Sequence, residues 1–76
     1  MNSFKEYKVF ELVYDDEVLY IGVAKNPYSN KQILRNTKGH KAYQKDLELY
    51  IIYKTYSKKK ALSYMDRYIK ENNIVI

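Results

Sequence analysis

The chain has no cysteine, no tryptophan, a single histidine, one proline and only two glycines among its 76 residues. Without cysteine there is neither a disulfide framework nor a thiolate metal site, so the staples of most small secreted domains are excluded and a reducing, intracellular setting is expected. A lone histidine does not make a metal site by itself. No apolar run approaches the roughly 20 residues that cross a bilayer, and Met1-Asn2-Ser3-Phe4-Lys5-Glu6 lacks the apolar core of a secretion signal. A soluble, cytoplasmic protein with no membrane partner is expected, a single domain over residues 1–76 near the lower size limit for one core. The sequence also lacks a phosphate-binding loop of the P-loop type and any Ser-His-Asp or Cys-His arrangement.

Tyrosine and lysine are what it has in excess. Ten tyrosines suit a thin core whose hydroxyls reach water, and they equally suit stacking on bases or lining a nucleotide pocket. The net charge of +5 is unevenly spread. Residues 1–24 set Lys5 and Lys8 against Glu6, Glu11, Asp15, Asp16 and Glu17. Residues 25–67 carry Lys25, Lys31, Arg35, Lys38, Lys41, Lys45, Lys54, Lys58, Lys59, Lys60 and Arg67 against Asp46, Glu48 and Asp66. A phosphate-bearing partner fits such a cationic part, because each neutralised phosphate releases condensed counterions. A surface solvated by lysine is the alternative.

Tyr7 to Tyr14 and Glu17 to Val23 are rich in β-branched and aromatic residues around the polar pair Asp15-Asp16, which predicts a β-hairpin. Asn26-Pro27 reads as a helix start, followed by a short helix to Asn36 with Ile33 and Leu34 as its buried stripe. Thr37-Lys38-Gly39 breaks it, and His40 to Asp46 is expected to form a second short helical element of a turn or two. Leu47 to Tyr56 is apolar enough for a central or well-covered strand beside the hairpin. Ser57 is the expected N-cap of a last helix ending at Asn72 or Asn73, with Ala61, Met65, Ile69, Leu62 and Tyr68 on its buried face. Its first turn holds Lys58, Lys59 and Lys60, which oppose the helix dipole and would be tolerated more readily where an anion binds. The fold class is thus α+β, a small mixed or antiparallel three-stranded sheet flanked by helices in the order β-β-α-α-β-α.

The segment Val18 to Pro27 is the most informative. Tyr20 sits in a short apolar strand, Gly22 follows it, and a basic helix starts a few residues later. Glycine there lets the backbone bend or a neighbour approach closely. Tyr20 is either an ordinary strand aromatic or a tyrosine held for chemistry, and His40 after Gly39 is either a helix-start residue or part of the same site.

In these residues the chain resembles the GIY-YIG nuclease superfamily, over Lys8 to about Asn72. Tyr20-Ile21-Gly22 resembles the family's second motif, Lys8-Val9-Phe10 stands where its first motif falls, and Gly39-His40 with Tyr43-Gln44 resembles its histidine and short helix. Ala61 to Lys70 is similar to the helix that carries the catalytic glutamate. The resemblance implies phosphoryl transfer in which Tyr20 acts with the attacking water, His40 assists, a first-helix arginine meets the phosphate, and the glutamate binds one divalent metal such as Mg²⁺. The departures are Met65 at the glutamate position, Phe10 for a tyrosine and Lys8 for a glycine. Asn30 or Lys31 falls where the arginine belongs, and Lys31 with Arg35 can stand in for it.

A thioether is no ligand for Mg²⁺, which takes hard oxygen donors. The resemblance therefore implies a degenerate domain with no cofactor, binding nucleic acid, DNA sooner than RNA, through phosphate contacts of Lys25, Lys31, Arg35, Lys38, His40, Lys41, Lys58, Lys59 and Lys60. Two alternatives remain. One is a small non-enzymatic binding protein, similar to phage-type inhibitors, that uses the old pocket for a nucleotide or its surface for a protein. The other is an active endonuclease with Asp66 or Glu71 as the carboxylate. A homodimer burying a tyrosine-rich face is a further expectation, since so small a core gains from it.

Overall fold

Tyr7–Tyr14 and Glu17–Ala24 form strands β1 and β2 of an antiparallel hairpin. The computed structural model describes residues 5–74. Asp15 and Asp16 close the hairpin with positive φ values of 53° and 63°, the backbone of a type I′ turn. That turn matches the strand twist, yet two aspartates occupy it less readily than Asn-Gly does. Replacing Asp15-Asp16 with Asn-Gly is expected to add about 1 kcal/mol and raise the melting midpoint by roughly 4–8 °C. Circular dichroism melts of the two proteins check this, and an unchanged midpoint would argue against the turn geometry.

Strand β3, Glu48–Thr55, pairs antiparallel with the other edge of β1, so the strand order is β2-β1-β3. Helix α1, Pro27–Arg35, packs on one face of the sheet and helix α2, Lys58–Glu71, on the other. This is the expected α+β class with a three-stranded antiparallel sheet between helices. Ser57 caps α2 as expected, its hydroxyl accepting from the Lys60 N–H at 3.2 Å. Pro27 opens α1, although Asn26 makes no side-chain capping bond.

The structure corrects three expectations. Residues 38–44 form successive turns rather than a second helix, so the order is β-β-α-β-α. Their bonds run from His40 N–H to Thr37 O, Tyr43 N–H to His40 O and Lys45 N–H to Ala42 O, and Gln44 at φ 57° ends any helical progression. Second, β1 and not β3 is the central strand. Bonded on both edges and covered on both faces, it holds the fully buried Val9, Phe10 and Leu12, whereas edge strand β3 leaves Glu48, Tyr50 and Lys54 exposed. Third, Ile33 and Leu62 are exposed. Each neighbours a position that faces the sheet, Leu34 and Ala61, and one step along a helix turns a side chain by about 100°.

The sheet divides the core in two. Phe10, Leu12 and Leu19 pack with Ala42 and Leu47 on the α1 side, and Val9 and Ile21 pack with Ala61 on the α2 side, where Met65, Tyr68 and Ile69 join them. Two irregularities in pairing shape these faces. Between Leu12 and Val13 the register skips Leu19, which turns Leu19 and Tyr20 together toward α1. Between Val9 and Phe10 it skips Ile52, which turns Ile52 and Tyr53 together toward α2. The Tyr68 hydroxyl also donates to Glu11 Oε2 at 3.2 Å, tying α2 to β1, and burial together with the Glu11 charge holds that phenol above the ordinary tyrosine range. Among the described residues no helix is long and apolar enough to cross a membrane.

Candidate functional site

Tyr20 lies on the α1 face, with its ring folded back along its own strand over Gly22. A Cβ at position 22 would stand 2.7 Å from Tyr20 Cε2 and 3.0 Å from its hydroxyl oxygen. Glycine is required here for the ring's position, with the aromatic covering the bare backbone of an edge strand. Phe10, paired with Gly22 in the ladder, supports the ring at 5.9 Å between centroids, and His40 meets it edge-on at 6.3 Å and 64°. Gly39 at φ 89° makes the turn that delivers His40.

The Ala42 N–H donates to His40 Nδ1 at 3.0 Å. With Nδ1 accepting this bond, Nε2 is the ring nitrogen left to donate. Lys8, two residues before Phe10 and so on the same face, is buried, and its ammonium donates to the Lys25 carbonyl at 3.1 Å. A phenol, an imidazole N–H and a buried ammonium thus share one sheet face. All three can donate to an oxyanion.

The metal chemistry implied by the family resemblance does not fit these residues. Met65 is packed among Val9, Ile21 and Ala61 on the α2 side, across the sheet from Tyr20. Asp66 is exposed on α2 and paired with Lys70 at 3.0 Å, and Glu71 is likewise an exposed residue of α2. A thioether in an apolar core and two carboxylates on the helix that covers the other face offer no hard-oxygen site beside the tyrosine.

The predicted cations separate into groups. Arg35 works largely as a clamp, its Nε donating to the Lys45 carbonyl at 2.6 Å while its own carbonyl accepts from the Gln44 N–H at 2.9 Å. It lines a depression with Tyr28, Lys31, Gln32 and Asp46, so Lys31 and Arg35 do share a face, partly neutralised by Asp46. Lys38 and Lys41 are exposed on either side of His40 in the connection. Lys25 and Lys58 to Lys60 sit elsewhere, and the strand register says where.

Lys8 pairs with Ala24 on one side and Lys54 on the other. The start of β1 and the ends of β2 and β3 therefore lie at one end of the sheet, and both helices begin there. That end gathers Lys25, Lys54, Lys58, Lys59 and Lys60, with Lys25 held over the Tyr7 ring at 5.1 Å. The opposite end carries Asp15, Asp16, Glu17, Asp46 and Glu48, with Asp15, Asp46 and Glu48 lining a depression there. The phosphate contacts expected from the sequence leave out Lys54, which the register places in this group, and Lys8, whose ammonium is bonded to the Lys25 carbonyl beside it. Their signal was present in the pairing of the strands and in nothing local.

No family model matches the chain, and neither a curated protein nor a solved structure gives a significant match to it.

Proposed function

We propose that the protein binds nucleic acid, DNA in the first instance, by phosphate contacts at its cationic sheet end, and that it does so as a degenerate GIY-YIG-like domain without metal-dependent cleavage. The observation that carries this reading is the uneven charge along the sheet, with Lys25, Lys54 and Lys58 to Lys60 at one end and Asp15, Asp16, Glu17, Asp46 and Glu48, beside Lys45, at the other. Such a field orients a polyanion and speeds its encounter. Contacts of this type position the protein without reading sequence. The loss of cleavage is supported by Met65, which stands at the family's glutamate position and packs in the α2-side core, across the sheet from Tyr20.

Lys58→Glu/Lys60→Glu tests the reading because stability and binding should move in opposite directions. Negative charge in the first turn favours the helix dipole, and Glu at position 60 would complete a capping box with Ser57. The melting midpoint is expected to rise by a few degrees while affinity for a labelled duplex falls at least about tenfold and the slope of log K against log salt becomes shallower by about two. With Mg²⁺ or Mn²⁺ present the DNA is expected to stay intact on a gel. A more stable variant that binds DNA unchanged would sink the proposal, as would metal-dependent cuts abolished by Tyr20→Phe.

A further inference from the structure

On the sheet face away from Tyr20, three tyrosine rings lie nearly parallel. Tyr53 of β3 stacks on Tyr64 of α2 with centroids 4.2 Å apart and planes 3° from parallel. Tyr68 continues the series at 6.2 Å and 17°. The skipped Ile52 is what turns Tyr53 to this face. Beside the rings is a depression of about 180 Å³ lined by Tyr53, Lys60, Ser63, Tyr64 and Arg67. Its helical residues fall at i, i+3, i+4 and i+7, one stripe of α2 on which Lys60 and Arg67 stand about 10 Å apart along the axis. Arg67 lies 6.0 Å from the Tyr64 ring centroid. The depressions at Tyr14 and Tyr28 each include a carboxylate in their lining, and this one has none.

We infer that this tyrosine step is a stacking site for a base of single-stranded nucleic acid, whose phosphates run between Arg67 and Lys60. The inference rests on the nucleic-acid reading and names the form of the ligand. Parallel rings already packed against a core lose little freedom when a base is added to them. Every base offers a π-face, so such a step is tolerant of sequence, and flanking cations track the backbone. Duplex DNA keeps its bases inside and gains nothing from the rings. A strand fits better than a free nucleotide because Lys60 belongs both to this depression and to the cationic sheet end, so the phosphate track continues beyond one residue.

The test uses the full chain, a labelled oligothymidylate, a duplex of the same length and thymidine monophosphate as competitor. The single strand is expected to bind at least about tenfold tighter than the duplex. Tyr64→Leu and Arg67→Glu are each expected to weaken the single strand by roughly five- to a hundredfold, the loss of about one stacked base, with duplex affinity unchanged. Tyr64→Phe keeps the ring and is expected to bind as the parent does. Arg67 is exposed, so its variant reports even if Tyr64→Leu fails to fold. Equal affinity for both forms, or equal weakening of both by the variants, overturns the stacking site and leaves phosphate binding at the sheet end standing. Thymidine monophosphate competing as strongly as the oligomer overturns the strand as occupant. Failure of both polymers to bind overturns this inference and the proposed function together.

Discussion

Phe10→Ala is expected to leave most of the protein unfolded at 25 °C. Phe10 is fully buried in the central strand, packed with Leu12, Leu19, Ala42 and Leu47 beneath the Tyr20 ring. Removing a buried phenylalanine ring costs about 3–5 kcal/mol, because the cavity collapses only in part. A domain of this size seldom has more than about 3–5 kcal/mol to lose. Urea titrations followed by circular dichroism and tyrosine fluorescence are expected to show a cooperative transition for the parent and none for the variant. Phe10→Leu retains most of the apolar volume and is expected to fold with a lower midpoint. A cooperative Phe10→Ala transition displaced by less than about 1 kcal/mol would mean that the α1-side core does not hold the sheet as described.

Gly22→Ala is expected to cost about 1–3 kcal/mol, the range for forcing an extra methyl into a packed place, and to move Tyr20. The methyl would occupy space 2.7 Å from Tyr20 Cε2, and Phe10 and His40 hold the ring from its other sides. The ring must leave His40 or the backbone must shift. Nuclear magnetic resonance of the His40 ring protons reports the first event, since they lose the shielding of the neighbouring aromatic. A double-mutant cycle separates ring contact from strand propensity. In a Tyr20→Leu background the same Gly22→Ala change is expected to be neutral or stabilising, because glycine weakens a strand and the obstructing ring is gone. Additive costs in the two backgrounds would show that Gly22 serves the backbone alone.

The two predictions concern one sheet face, and the proposed binding concerns the sheet end and the other face. Stability changes made at Phe10 or Gly22 should therefore leave phosphate contacts at Lys58 and Lys60 intact in whatever fraction remains folded. The lysines at the start of α2 show the reverse relation. They oppose the helix dipole, and a carboxylate at position 60 would cap the helix better, so their charge costs the helix stability that a bound anion would restore.

Much of the local structure was legible in the sequence. Alternation and β-branched residues gave the hairpin, Asp15-Asp16 its turn, Ser57 its cap, and the lysine clusters their charge, because each depends on residues within a few positions of one another. The second helix was misread for the same reason. His40 to Asp46 has helical composition, but Gln44 in the left-handed region and the clamp from Arg35 to Lys45 fix that segment as turns. What the tertiary structure alone decided follows from long-range pairing. The hydrogen bonding of β1 on both edges made it central, and the register brought Lys25, Lys54 and Lys58 to Lys60 to one end. Single-residue slips at Leu19 and Ile52 turned Tyr20 toward His40 and Tyr53 onto Tyr64. A slip of one residue reverses which face a strand side chain takes, and it is set by the fit of whole strands and helices against each other, which no local run of residues encodes.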